Sequence, residues 1–258
     1  MIEAILLVMD LYVFQAATTS RAVLAFCDAA SIPVVVKNVD IMKGEHHQAP
    51  FTTLNPNRMI PVLDDEGFVL TEASAILRYL ANKARSPLYP EDLRVRARVD
   101  EAMAWFEANF YRDFGFQFVY PQMFPHHARS SEEATKSTVA WGLEKSKSWL
   151  AVLDGHFLAR GKHLAGDALT IADFFGASIL SLGELVQFPL DAYPNVARWY
   201  ASVTAHPSWS RINIAFAGFV SSLTPAHKSL TPAPSFHGGC NGLGESAGYP
   251  AGSKLAAG

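Results

Sequence analysis

The stretch Asn55-Pro56-Asn57-Arg58-Met59-Ile60-Pro61-Val62-Leu63-Asp64-Asp65-Glu66-Gly67-Phe68-Val69-Leu70-Thr71-Glu72-Ala73-Ser74 decides how this chain folds. Two short apolar runs, 61–64 and 68–70, flank the turn residues Asp65-Glu66-Gly67 and read as an antiparallel hairpin. Thr71 then stands where a hydroxyl would cap a helix carrying Ala75, Ile76, Tyr79 and Leu80. Pro61 opens the first strand, a position where proline gives up no ladder donor. On residue grounds alone the Ile60-Pro61 bond reads as trans, the state of most such bonds. A cis bond there would turn the Ile60 backbone outward, free to pair with an extended peptide.

Upstream, residues 6–14 are short, β-branched and aromatic, and predict a buried strand. Ser20 is placed to cap a helix over 21–30, and Ile32-Pro33 stops it. Residues 34–39 predict a second strand, parallel to the first through a right-handed crossover. A polar loop with His46 and His47 and a short helix ending near Leu54 complete an α/β unit over 1–83. Residues 84–92 hold two prolines and predict a linker. From there to 222 the pattern is helical throughout: Val99, Met103, Phe106 and Phe110 mark one face, and Thr170-Ile171-Ala172-Asp173 has capping-box spacing. Residues 223–258 are rich in Gly, Pro, Ser and Ala without apolar period and predict a flexible tail.

Composition narrows the function. The chain has 258 residues, half of them hydrophobic, enough for a large core. Its 21 basic and 24 acidic residues nearly balance, so the electrostatic footprint of a nucleic-acid binder is missing. Cys27 and Cys240 form no metal-ligand or disulfide pattern, which predicts no metal and a reducing, cytoplasmic setting. Glu3 and Asp10 break the apolar N-terminus, against both a signal peptide and a membrane span.

Two stretches can carry chemistry. Glu72-Ala73-Ser74 starts a helix directly after a strand, so its free N–H groups can bind a carboxylate and its acid an ammonium. Ordinary capping explains the same residues. The run from Phe106 to Phe124 is aromatic enough for a flat apolar pocket, with Phe110, Phe116 and Tyr120 as candidate walls and Arg112 placed to hold an anionic group. Core packing is the competing account of most of these rings.

Taken together, Ser20-Arg21-Ala22-Val23, the loop Asp40 to His46, Asn55-Pro56 through Leu63, Phe68 through Leu77, Tyr89 to Leu93 with Arg96-Ala97-Arg98-Val99, and Leu169 through Phe174 form an ordered series. In that series the chain resembles the cytosolic glutathione transferases, and within them the theta-like branch that includes bacterial dichloromethane dehalogenases. The resemblance implies a thioredoxin-like N-terminal domain followed by an all-helical domain, and a cis Ile60-Pro61 bond. It implies glutathione as co-substrate and a hydrophobic, aromatic or halogenated electrophile as partner. Glu72 would hold the γ-glutamyl ammonium and the N–H of Ala73 its carboxylate, with Ser74 one residue late for the serine that usually follows the acid. The Ile60 backbone, beside Pro61, would pair with the cysteinyl unit, and His46 would lie near the glycyl carboxylate. Met59 stands where a lysine often points at the peptide. A homodimer is implied too, through the surface near Phe51 and the helix 72–80 against residues 100–107 of a second copy.

The chain departs from that pattern at the reacting sulfur. Theta-like members carry a catalytic serine four residues before the arginine of Ser20-Arg21, and here that position is Ala17. A hydrogen bond to a charged group is worth about 1.5–3 kcal/mol, so its loss raises the bound thiol pKa by roughly one to two units. A helix N-terminus returns only about 0.3–1 kcal/mol. Thr18 is the candidate substitute, with Thr19 or a backbone N–H as the other donors in reach of the turn, and with capping or solvent exposure as the competing account of Thr18. The implied activity is a glutathione transferase weakened by Ala17. A non-catalytic glutathione or ligand binder is the rival, and a reductase is disfavoured because no cysteine follows the first strand.

Overall fold

The computed structural model describes residues 9–223. Strand β1 (Met9–Val13) buries alternate residues completely and is the first central strand. It pairs in parallel with β2 (Val34–Asn38), Met9 opposite Val34, and antiparallel with β3 (Val62–Asp65), Leu11 opposite Leu63. The chain then turns through Glu66 and Gly67, at φ 55° and 89°, into β4 (Phe68–Leu70). Positive φ at both turn residues suits the right-handed twist of the flanking strands. Asp64 locks the turn by accepting the Gly67 N–H at 2.7 Å. The sheet order is β2-β1-β3-β4, and α1 (Thr18–Ala29) forms the crossover between β1 and β2. A single helical turn, α2 (Phe51–Leu54), precedes β3, and α3 (Ala73–Lys83) follows β4. This is the thioredoxin-like unit that the sequence predicts.

Two helix starts differ from expectation. Ser20 does not cap α1; Ala17 does, with no side-chain bond, and Thr18 and Ser20 lie buried in the first turn. Thr71 does not cap α3 either. Glu72 occupies that position at φ 66°, ψ 115°, again with no side-chain cap. In neither place does a side chain cap the N–H groups of the helix start.

The second unit runs α4 (Leu93–Trp105), a wide π-helical continuation from Phe106 to Val119, α5 (Tyr120–Met123) and α6 (Glu132–Val152). It continues through α7 (Ile171–Leu180), α8 (Pro194–Thr204), α9 (Pro207–Ile212) and α10 (Ile214–Ser222). Val99, Met103, Phe106 and Phe110 are all fully buried, as their spacing predicts. Helix α6 presses on the π-helical segment at Gly142, where an added Cβ would lie 2.7 Å from the Gln117 carbonyl carbon. Thr170 and Asp173 form the capping box at the head of α7, every residue of which is buried.

The units share one apolar core. Helix α1 packs on α7, and the cluster runs from Leu11 and Phe26 to Phe174 and Trp199. Within residues 84–92 the carbonyl of Leu88 accepts the Ile171 N–H at 2.9 Å, tying that stretch to α7. The tail predicted over 223–258 lies, after Leu223, outside the described residues, as does the start of the strand predicted at residue 6. Among the described residues no helix is long and apolar enough to cross a membrane.

Candidate active site

The hairpin and the start of α3 form one wall of a cavity of about 270 Å³ at the junction of the two units. Met59, Ile60, Pro61, Thr71, Glu72 and Ala73 line that wall. The Ile60-Pro61 bond is cis, as the resemblance implies and against the trans bond that the residues alone predict. Asn55 holds the loop ahead of it: its amide donates to the Met59 carbonyl at 2.7 Å while its Oδ1 accepts the Asn57 N–H. The Thr19 hydroxyl, also in the lining, donates to the Ile60 carbonyl at 3.3 Å. Glu72 is an exposed carboxylate held at positive φ, a conformation that costs a non-glycine residue about 1–3 kcal/mol.

The opposite wall comes from the helical unit through Glu107, Tyr111, Phe116 and Phe175. Phe116 is thus where the aromatic pattern predicts it. Tyr120 stands one layer behind, its hydroxyl 2.7 Å from that of Tyr111 and 3.2 Å from that of Thr18. Burial pushes the Tyr120 phenol up and the Tyr111 phenol well above its usual value, so both remain protonated donors.

The remaining candidates lie elsewhere. Phe110 is a core ring, stacked between Trp105 and Phe114 and outside the cavity lining. The exposed Arg112 guanidinium forks onto Asp113 at 2.9 and 3.0 Å instead of entering the cavity. Asp113 also accepts from Gln117 and from the Trp149 indole. Ser74 is buried behind Ala73. His46 lies on a short 3₁₀ turn with its ring 3.9 Å from that of His47 and its Nδ1 unpartnered. Burial, then the neighbouring His47 and His126, hold its pKa below the usual histidine value. Cys27 lies on the buried face of α1, and desolvation pushes its thiol up to about 12, away from the thiolate that a nucleophile needs.

Sequence reading placed none of Asn55, Thr71, Glu107, Tyr111 and Phe175 in the site, and it weighed Thr19 only as an alternative to Thr18. Asn55 carried a usable signal, an Asx side chain followed by its own turn. Glu107, Tyr111 and Phe175 carried none, because only the meeting of two units brings them to the hairpin. Among the described residues no group of three or more His, Cys, Asp or Glu could hold a metal ion.

A thioredoxin-like sheet with a cis-proline hairpin, a helix start bearing an acid, and a second all-helical wall define a two-domain fold with a cavity between its units. The family models agree: Glutathione S-transferase, N-terminal domain, matches residues 8–82, and Glutathione S-transferase, C-terminal domain, matches residues 111–207. Glutathione S-transferase theta-1 of Mus musculus is 33% identical over 202 residues, covering 77% of this chain and 83% of the relative. The human theta-1 protein is 33% identical over 201 residues, covering 76% and 82%. The apo structure of human glutathione-S-transferase T1-1 superposes with a TM-score of 0.72 at 28% identity, covering 85% of this chain and 95% of that one. The chain belongs to the glutathione S-transferase family.

Proposed function

We propose that this protein is a glutathione transferase that presents the glutathione thiolate to a hydrophobic, aromatic or halogenated electrophile. The observation that carries the reading is one cavity holding both halves of the chemistry. A wall at Ile60 and Glu72 faces an aromatic wall at Tyr111 and Phe116. Glu72 takes the γ-glutamyl ammonium, the open N–H groups of Ala73 and Ser74 its carboxylate, and the Ile60 backbone the cysteinyl unit. Met59 covers the peptide. His46 lies near the glycyl carboxylate from the adjoining loop. The electrophile rests against Phe116, with Tyr111 and Tyr120 behind it. Displacement of halide, conjugation and ether cleavage all use a thiolate held in this way.

Calorimetric titration with reduced glutathione, paired with a chlorodinitrobenzene assay across pH, tests this reading. Saturable binding with turnover that rises as the thiol ionises is expected. Binding without turnover would favour a non-catalytic carrier, and no binding would end both readings.

The same reading includes a homodimer working in the cytoplasm. Phe68 and Val69 on the edge strand β4, with Leu93 and Val95 on α4, are exposed apolar residues that a second copy would cover. Phe51 packs inside its own domain, against Tyr12 and beside Val62. Sedimentation at micromolar concentration is expected to show a dimer, and a monomer throughout would remove the proposal.

A further inference from the structure

We propose that a hydroxyl chain, Thr18 to Tyr120 to Tyr111, polarises the thiol of bound glutathione in place of a side-chain donor at position 17. The inference rests on the functional reading above and deepens it.

Position 17 is an alanine at the N-cap of α1, and its methyl group offers a sulfur no hydrogen-bond donor. Of the hydroxyls lining the cavity, that of Thr19 is given to the Ile60 carbonyl, and Thr71 stands directly before Glu72, at the end of the wall assigned to the amino-acid head group. Tyr111 is different. Its ring lines the cavity and its hydroxyl meets that of Tyr120 at 2.7 Å, which meets that of Thr18 at 3.2 Å. Three hydroxyls bring three protons, and the two contacts among them use two. One proton is left to donate.

The direction of the chain follows from its surroundings. Thr18 sits in the first turn of α1, at the positive end of the helix, where an oxygen turns its lone pairs inward and its proton outward. It therefore donates to Tyr120, Tyr120 donates to Tyr111, and the free proton belongs to the residue at the cavity.

Arg21 reinforces this order. Its guanidinium is fully buried, and its hydrogen bonds go to uncharged oxygens of Asn213, Ser178 and Ser181. The Phe216 ring lies 3.7 Å from it. No ion pair to Arg21 occurs among the described residues, so its charge reaches outward toward Tyr120 and Tyr111. Desolvation brings its pKa down to about 10, which still leaves it protonated at neutral pH. A positive charge behind a row of phenols draws electron density inward and makes the last O–H a better donor.

Both phenols stay protonated, so the chain supplies a hydrogen bond and a field but does not accept the thiol proton. The S–H bond breaks heterolytically, the electron pair stays on sulfur, and the proton leaves to water. Tyr111 is then the catalytic donor, and Tyr120, Thr18 and Arg21 are positioning residues.

The test is an ultraviolet titration of the glutathione thiolate in the saturated complex, blanked with S-methylglutathione to subtract tyrosine ionisation. Wild type, Tyr111→Phe, Tyr120→Phe and Thr18→Val are compared, with affinity measured separately by calorimetry. Phenylalanine keeps each ring in place and removes only the hydroxyl. Tyr111→Phe is expected to raise the bound thiol pKa by roughly one to two units, with glutathione affinity falling more at a pH above the wild-type thiol pKa than below it. Tyr120→Phe and Thr18→Val should follow with smaller shifts in the same direction, and adding Ala17→Ser should shrink all three. A thiol pKa unmoved by Tyr111→Phe while affinity is retained would overturn the inference and leave the functional reading intact. Failure of wild type to bind glutathione would overturn both.

Discussion

Asp173→Ala is expected to cost about 4–6 kcal/mol of stability, a large share of the ~5–15 kcal/mol that holds an ordinary domain together. Asp173 is completely buried at the head of α7. One carboxylate oxygen accepts from the Thr170 N–H at 2.7 Å and the Thr170 hydroxyl at 2.9 Å. The other accepts from the Leu164 N–H at 3.0 Å and the Trp199 indole at 2.8 Å. Alanine would strand four donors in a core that water does not reach, and each orphaned donor costs about 1–3 kcal/mol. Because α7 packs on α1, the loss propagates to the wall that carries Thr18 and Thr19. Urea unfolding should show the midpoint collapse or the protein fail to accumulate in soluble form. Asp173→Asn keeps one acceptor oxygen and should fall between. A wild-type midpoint for Asp173→Ala would contradict this account of the helical core.

The second large effect concerns binding. Glu72→Ala is expected to weaken glutathione by about 1.5–3 kcal/mol, the worth of a hydrogen bond to a charged group. That is roughly ten- to hundredfold in Kd. Glu72→Gly should lose the same affinity, since either substitution removes the carboxylate. The two differ in stability. At φ 66° a side chain is strained and glycine is not, so Glu72→Gly should be about 1 kcal/mol more stable than Glu72→Ala. Calorimetry and thermal unfolding on the pair separate the two roles. Unchanged affinity in both variants would remove Glu72 from the site.

How much of this was legible in the sequence depended on how local the cause was. The β3–β4 hairpin was readable because Glu66-Gly67 carries its own turn chemistry. The head of α7 was readable because Thr170 and Asp173 satisfy each other three residues apart. The start of α1 was misplaced because burial of Thr18 and Ser20 outweighs the capping preference of a hydroxyl. The π-helical winding after Trp105 left no mark, since Phe106, Phe110, Phe114 and Phe118 keep a four-residue spacing that suits an α-helix equally well.

The site divides along the same line. Ile60, Pro61, Glu72 and Ala73 come from one continuous stretch, and sequence reading placed them in the cavity together. The Thr18–Tyr120 contact spans 102 residues, and no spacing rule reaches that far. Arg112 was misjudged for a nearer reason. Asp113, its immediate neighbour, captures the guanidinium and holds it outside the cavity.

The central claim is that an extended tripeptide lies along the Ile60 edge with its amino-acid end at Glu72. A crystal structure of the complex with reduced glutathione measures this directly. It should show the cysteinyl backbone paired with Ile60, the γ-glutamyl ammonium on the Glu72 carboxylate and the sulfur facing Tyr111. Glutathione bound elsewhere, or that cavity still empty at saturating glutathione, would contradict it.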